Sequence, residues 1–358
     1  MLQWKASRAG SAVTASFVAT LAAALVVSPA EAQTSGADGE EWEVPRTEHG
    51  HPDLQGNWSN ATITPLQRPR GQGPVLTPDE VAALEMEEGD YLAQSLDPAD
   101  PNRPPPPVGG DGSTGAAGGT GGYDSFYIDR GDRVAYVDGE PRSSLITFPE
   151  DGRVPSITED AQEARQQNFA RRAGMGQYDH PELRPLAERC IVSFGSNAGP
   201  PMLPNYFYNN NYTIVQTADQ VMIMTEMIND VRVVQLEDGP PLDDDVRPWF
   251  GDSRGWWEDD TLVVETTNIH PEQRFQGNNS DNLRVIERFT RVDEETILYE
   301  FEIDDPTVYT ERWGGQVPMY AIDDLVFEYA CHEGNYALEN VLRGARFEER
   351  QEAEAQER

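Results

Sequence analysis

Two residues, Glu226 and His332, have the chemistry and the surroundings that proton transfer requires. Glu226 lies between methionines in the stretch Gln220–Ile228, where a carboxylate is costly unless it has a partner. Such an environment is typical of a general acid or base, so Glu226 is a candidate catalytic residue. A structural salt bridge with Arg254 or Arg288 would account for the same residue.

His332 follows Cys331 and precedes Glu333 in the stretch Glu328–Tyr336 (EYACHEGNY). Histidine changes its charge near neutral pH, and a neighbouring carboxylate can assist it, so His332 is the second candidate catalytic residue. The alternative is that His332 orders this turn together with Asn335.

Polar residues that precede or interrupt the apolar stretches are candidates for substrate binding. Asp252 and Arg254 lie in the polar loop Gly251–Gly255, where the guanidinium fork suits a carboxylate or a phenol but also suits a clamp between neighbouring turns. Glu287 and Arg288 alternate in one strand, so one of them faces inward if the strand belongs to a barrel; for each residue taken singly, the alternative is cross-strand pairing on the outer face. The substrate-binding candidates are Tyr208, Asp252, Arg254, Arg288 and Glu333.

The sequence predicts neither a metal site nor a cofactor site. His49 and His51 are only two ligands, and the G-x-S-x-G, P-loop, H-E-x-x-H and G-x-G-x-x-G motifs are absent. The two cysteines, Cys190 and Cys331, form one disulfide in an oxidising compartment or remain as two buried thiols.

The elements that must position these residues are strands. Links of two or three residues, such as Ala218-Asp219 and Glu258–Asp260, separate β-branched runs and force antiparallel neighbours. A meander of this length closes into a barrel or leaves bare edges. We therefore expect a mainly all-β fold, an antiparallel meander closing into a lipocalin-like up-and-down β-barrel with a few peripheral helices. The predicted strands are Tyr123–Ile128, Ser143–Phe148, Tyr212–Thr217, Gln220–Ile228, Val231–Leu236, Gly255–Trp257, Thr261–Asn268, Leu283–Val292, Thr296–Ile303, Tyr309–Trp313 and Leu325–Cys331.

Thr77-Pro78-Asp79-Glu80 predicts a helix that reaches about Gln94, and Thr158–Ala161 predicts another that reaches about Ala173. The domain is expected to span residues 53–345, with a disordered Pro/Gly-rich loop at 97–122 and a charged tail at 346–358.

The first residues have the three parts of a secretory signal peptide. Lys5 and Arg8 precede an apolar run, and Ala30-Glu31-Ala32 supplies a cleavage site. The run is shorter than a membrane span, so we expect a signal peptide at 1–32, a flexible leader at 33–52 and a periplasmic or secreted protein. The formal net charge of −36 excludes nucleic acid and anionic lipid as partners.

Two motifs, Gly251–Gly255 (GDSRG) and Ala330–Asn335 (ACHEGN), carry a resemblance to a family of exported, mostly uncharacterised bacterial proteins. The likeness covers residues 52–346 and implies one intact domain, but it implies no activity. Where other members carry His after Glu-Met-Ile, this chain has Asn229.

Three functions fit these observations. The first is an exported enzyme that performs cofactor-free acid–base chemistry, as a lyase, isomerase or hydrolase, on a small organic molecule. The second is a lipocalin-like binding protein that holds an apolar or aromatic molecule in the lumen, among Met222, Met224, Tyr299 and Phe301. The third is a structural envelope module, whose lumen would be filled by side chains.

Overall fold

The computed structural model describes residues 42–95, 128–193, 198–205, 208–236, 239–273 and 280–357 of the 358-residue chain. The predicted signal peptide at 1–32, the first part of the predicted leader and the predicted loop at 97–122 lie outside the described residues. Most of the predicted strand Tyr123–Ile128 lies outside them as well.

The described residues form twelve strands, three α-helices and two short 3₁₀-helices. The strands are β1 (Gly56–Ser59), β2 (Tyr136–Val137), β3 (Glu140–Pro141), β4 (Ile146–Phe148), β5 (Asn211–Gln216), β6 (Gln220–Thr225), β7 (Val231–Gln235), β8 (Asp252–Glu258), β9 (Thr261–Thr267), β10 (Arg284–Arg291), β11 (Thr296–Asp304) and β12 (Trp313–Ala321). The helices are α1 (Pro78–Ser95), α2 (Glu159–Ala173) and α3 (Ala337–Gln356).

Nine of the strands close into a barrel, which confirms the predicted fold class. The ring runs β1-β5-β6-β7-β8-β9-β10-β11-β12 and closes where β12 pairs with β1, while β4 adds a tenth strand to β12. The pairing is antiparallel around the ring except between β7 and β8, which run parallel over a short register at Val234↔Ser253 and Gln235↔Arg254. The barrel is therefore mixed, because the long link between β7 and β8 returns the chain to the end of the barrel where β7 begins.

The short links between strands form tight turns, as their composition predicts. In the β5–β6 hairpin the Thr217 hydroxyl donates to the Asp219 carboxylate at 2.8 Å and accepts from the Gln220 amide at 3.0 Å. In the β8–β9 hairpin Asp259 adopts a left-handed backbone with φ 51°. Such local hydrogen bonds and conformations close tight turns between neighbouring strands.

The last strand of the barrel differs from the prediction. Tyr309–Trp313 and Leu325–Cys331 were predicted as strands, but β12 runs from Trp313 to Ala321 and residues 325–331 form no strand. Two glycines and a proline inside β12 hide its β pattern. Gly315 has a packing role, since a Cβ there would lie 2.0 Å from the carbonyl oxygen of Leu145, which lies just before the β4 strand that pairs with β12.

The helix starts follow the predicted capping. At α1 the Thr77 hydroxyl accepts from the Glu80 amide at 3.3 Å, and a Glu80 carboxylate oxygen accepts from the Thr77 amide at 2.7 Å. This reciprocal pair is a capping box. At α2 the Thr158 hydroxyl accepts from the Ala161 amide at 3.2 Å.

The segments on either side of the predicted domain contact it or extend it. Residues 42–52, predicted as part of a flexible leader, include a turn in which Arg46 pairs with Asp260 at 2.5 Å. The predicted tail at 346–358 continues helix α3, which begins at Ala337. None of the helices that the structure describes combines the length and the apolar composition that a membrane span requires.

Candidate functional site

The lumen of the barrel is filled by its own inward-facing side chains. One buried cluster includes the aromatic residues Trp58, Tyr212, Phe289, Tyr299 and Trp313, each no more than 1% exposed. Side chains packed in this way form a core of the kind found in small barrels.

A buried ion pair lies inside this core. Both terminal nitrogens of Arg232 donate to the Glu287 carboxylate, with Nη2 2.8 Å from Oε1. The Tyr299 hydroxyl donates to the same Oε1 at 2.9 Å and accepts from the Met202 amide at 2.8 Å. Burial lowers the pKa of Arg232, but the attraction of Glu287 outweighs it and the net shift is upward. The pair is therefore charged and buried, and Nε of Arg232 has no hydrogen-bond partner among the described residues.

The two methionines expected in the lumen lie on the outside of the barrel. Val221 and Ile223 are buried in the core, whereas Met222 and Met224 alternate with them and are half-exposed. The structure therefore corrects the placement of these two methionines, whereas Tyr299 and Phe301 point inward and belong to the buried core.

Glu226 lies directly after β6 and is buried, with 4% of its surface exposed. Its Oε2 accepts a hydrogen bond from Asn211 Nδ2 at 2.8 Å, and its Oε1 accepts one from the Phe327 amide at 3.4 Å. The carboxylate thus joins the start of β5 to the segment that follows β12. Neither alternative partner, Arg254 or Arg288, contacts it.

The turn that Glu226 begins contains two residues in the left-handed region. Ile228 has φ 69° and Asn229 has φ 55°, and this conformation is strained for a β-branched residue. Asn229 clamps the later segment, because its Nδ2 donates to the Tyr329 carbonyl at 3.0 Å and its Oδ1 accepts from the Tyr329 amide at 3.0 Å. Burial raises the pKa of Asp230 to about 6, and its Oδ2 has no hydrogen-bond partner among the described residues.

The side chains of His332 and Glu333 are exposed just beyond this clamp. The predicted disulfide between Cys190 and Cys331 is confirmed, with a Cα–Cα distance of 5.8 Å. The amide of Asn335 donates to the His332 carbonyl at 3.2 Å, so the backbone of His332 takes part in a turn. No hydrogen bond or ion pair joins His332 to Glu226 within the described chain.

The remaining predicted residues lie in other places. Arg254 pairs with Asp252 at 3.3 Å and donates to the Pro240 carbonyl at 2.6 Å, while an Asp252 oxygen accepts from the Leu242 amide at 2.9 Å. These two residues clamp the loop before β8, which is one of the two roles expected for them. Arg288 pairs with Glu258 at 2.7 Å on the outer face. Tyr208 is half-buried in the loop before β5.

A groove with a volume of about 890 Å³ lies outside the barrel, at the seam where β1 meets β12. Its floor is a row of three outward-facing hydroxyl side chains, because Ser59 pairs with Tyr320 and Tyr320 pairs with Thr296 across neighbouring strands. Residues 128–133 with Leu92 of α1 form one wall, and the β10–β11 turn, Asp293–Glu295, forms another.

The wall at residues 128–133 is fixed by specific contacts. Arg130 forms two hydrogen bonds with the Glu88 carboxylate, at 2.7 and 2.8 Å, and lies 4.0 Å from the ring centroid of Tyr91. Gly131 has φ +85°, and a Cβ there would lie 2.6 Å from the Thr62 amide nitrogen. This wall therefore requires glycine at its closest approach to the barrel.

Two ionisable groups in the groove are shifted. Asp129 is an exposed residue, yet partial desolvation of its carboxyl raises its pKa, and the charge of Asp132 acts in the same direction. Burial raises the pKa of the Tyr320 hydroxyl, against the lowering effects of a Tyr136 backbone hydrogen bond and of Arg133. Tyr320 is therefore a neutral phenol at physiological pH.

The groove residues were not among the predicted site residues. They come from five separate stretches of the chain. The strand residues among them face outward, and the alternation of apolar residues identifies only the inward-facing positions. The available signals were the dense charge of Asp129–Arg133 (DRGDR) and the acidic turn Asp293–Glu295.

The chain matches no known family model, no curated protein and no solved structure. Among the described residues, no group of three or more His, Cys, Asp or Glu side chains is placed to hold a metal ion. The groove therefore remains the main basis for a functional proposal.

Proposed function

We propose that this is an exported protein that binds a small organic molecule in the groove on the outer wall of its barrel. The observation that supports the proposal is a concave space of about 890 Å³ that combines apolar side chains with converging polar ones. Binding sites for small molecules have this size. The filled lumen fits a structural module equally well, but a structural module has no need for such a groove.

A substitution that fills the groove tests the proposal. Thr296 lies on the groove floor, and Thr267 in β9 is a matched control: an outward-facing strand threonine away from the groove. In a ligand-observed NMR screen of a fragment library, we expect hits for the wild type and for Thr267→Trp that disappear for Thr296→Trp. Hits that persist in Thr296→Trp would place binding elsewhere and contradict the proposal.

Export is part of the same proposal. The Cys190–Cys331 disulfide supports it, because disulfides persist in oxidising compartments. Denaturing mass spectrometry of protein purified from the periplasm of an expression host should show cleavage after Ala32 and a mass two hydrogens below that of the reduced chain. A full-length reduced chain would refute export.

A second candidate function, cofactor-free acid–base catalysis, is favoured by the turn that follows β6. Asp230 has a pKa of about 6 and an unpartnered carboxyl oxygen, and it lies beside the strained Ile228. A carboxylate that titrates near neutral pH is suited to accept a proton. In this proposal Asp230 moves the proton, whereas Glu226 positions the turn.

Turnover of a panel of small esters, lactones and hydroxy acids tests this second function. We expect a pH profile that rises through about pH 6 and a loss of at least about 100-fold in Asp230→Asn. The same loss in His332→Gln, with Asp230→Asn active, would move the proton transfer to His332 and refute the role of Asp230.

A further inference from the structure

The charges that surround the groove do not balance. Five carboxylate side chains line it, against two arginines. The carboxylate residues are Asp129, Asp132, Asp293, Glu294 and Glu295. Arg130 is already engaged by the Glu88 carboxylate outside this set, in a two-hydrogen-bond pair that is largely shielded from water. The groove therefore has a strongly negative potential, which excludes anionic ligands and attracts cations.

Arg133 shows where a cation lies within the groove. Its guanidinium carbon is 6.0 Å from the ring centroid of Tyr320, at the limit of a cation–π contact. Arg133 pairs with Asp132 at 3.3 Å, but the two side chains are 65% and 71% exposed. An exposed pair of this kind contributes little, so a ligand cation can displace Arg133 from the face of Tyr320.

The groove also has an apolar part. Leu92, Ile128, Ala61 and Ile322 line it together with the Tyr320 ring. This surface can bury a hydrocarbon or aromatic body while the carboxylates receive the charged end. A bare metal ion does not fit, because among the described residues the acidic side chains do not converge into a metal-binding group.

From this arrangement we infer that the groove binds an organic cation, an ammonium group carried on a small apolar or aromatic body. The ammonium group lies over the face of Tyr320 and between the carboxylates of the β10–β11 turn, and the apolar body lies against Leu92 and Ile128. This inference rests on the proposed binding function and adds the chemical class of the ligand.

Three compounds that share a phenyl body and differ in charge test the inference. They are 2-phenylethylammonium, 2-phenylethanol and 3-phenylpropionate, titrated at low ionic strength and followed by ligand-observed NMR. We expect the ammonium compound to bind about tenfold more tightly than the alcohol, because it adds a cation–π contact and attraction to the carboxylates. The propionate should bind more weakly than the alcohol.

A pair of double variants identifies the carboxylates responsible. Glu294→Gln with Glu295→Gln removes two charges from the groove, and Asp244→Asn with Asp245→Asn removes two exposed charges from the loop before β8. The first variant should weaken the ammonium compound about fivefold or more and leave the alcohol unchanged. The control variant should change neither compound by as much as twofold.

The outcomes separate the ligand class from the binding function. Equal affinities for the ammonium compound and the alcohol, both abolished by Thr296→Trp, would overturn the cationic class and leave groove binding intact. An ammonium affinity that falls equally in both double variants would show a general effect of net charge and would also overturn the inference. If none of the three compounds gives a signal that Thr296→Trp removes, the inference is overturned, and the fragment screen decides separately whether the groove binds other small molecules.

Discussion

Replacement of Glu287 by Gln in the barrel core is expected to lower the free energy of unfolding by about 3–5 kcal/mol. The Glu287 side chain is fully buried and that of Arg232 is 4% exposed, so the substitution leaves a buried guanidinium without its counter-ion. The neutral amide replaces one acceptor oxygen with a donor, and two donors then compete for the remaining oxygen. These are the Arg232 guanidinium and the Tyr299 hydroxyl.

Two further variants separate charge from hydrogen bonding. Tyr299→Phe keeps the ion pair and leaves the Met202 amide without its acceptor, which should cost about 1–3 kcal/mol. Arg232→Met combined with Glu287→Leu removes both charges and should lie within about 2 kcal/mol of the wild type, because two desolvation penalties disappear together.

Urea unfolding at pH 7 measures these differences. The fluorescence of the buried residues Trp58 and Trp313 reports on the core, and the disulfide is kept oxidised. A loss below about 1 kcal/mol for Glu287→Gln would refute the closed, dry lumen, because it would mean that water reaches Arg232. If the double variant Arg232→Met with Glu287→Leu is as unstable as Glu287→Gln, removal of both charges gives no relief. That result would refute the account of a charge-balanced ion pair in the core.

Three further predictions concern Asp230, Gly315 and the disulfide between Cys190 and Cys331. Asp230→Asn should leave the free energy of unfolding unchanged near pH 4 and raise it by about 1–2 kcal/mol at pH 8. Urea unfolding in a pH series measures this difference. A gain in stability already present at pH 4 would contradict the prediction. The reason is that burial raises the pKa of Asp230 from 3.8 to about 6, so the native state holds a proton that the unfolded state has released and loses stability as the pH rises through this window. Gly315→Ala should lower the free energy of unfolding by more than about 3 kcal/mol, because its Cβ would meet the Leu145 carbonyl oxygen at 2.0 Å. The control Gly344→Ala in α3, with open space around it, should raise the free energy of unfolding by about 0.5–1 kcal/mol. Thermal unfolding measures both. Replacing Cys190 and Cys331 by Ser should lower the free energy of unfolding by about 3–5 kcal/mol in the same measurement, because the disulfide closes a loop across 141 residues. A loss below about 1 kcal/mol would show that other contacts already restrain the loop.

The barrel could be predicted where alternation and short links both mark the strands. From β5 to β11 the predicted strands overlap the observed ones, because inward residues such as Val221 and Ile223 alternate with outward ones and the β5–β6, β8–β9 and β10–β11 links are too short for a crossover. The inward set of β6 was misassigned because both of its sets are apolar. Alternation shows that the strand has two faces but does not show which face is buried. Tertiary packing decides that Val221 and Ile223 face the core and that Met222 and Met224 face outward.

The remaining differences between the predictions and the structure involve residues that contact segments distant in the sequence. Gly315 leaves room for the backbone at Leu145, where β4 pairs with β12, and a strand with glycine and proline has a weak sequence signal. Glu226 was correctly selected as a buried carboxylate, but its partners, Asn211 and Phe327, are distant in sequence. The groove could not be predicted, since its residues converge only when the barrel closes.

Hydrogen exchange with and without saturating 2-phenylethylammonium tests the central claim most directly, namely that the ligand site lies outside a solid barrel. The amides of residues 128–133 and of the turn Asp293–Glu295 belong to the two groove walls and to no strand. We predict slower exchange in both wall segments and no change in residues 226–230. Protection confined to residues 226–230, or to the strands β10 and β11 without the groove walls, would contradict the account.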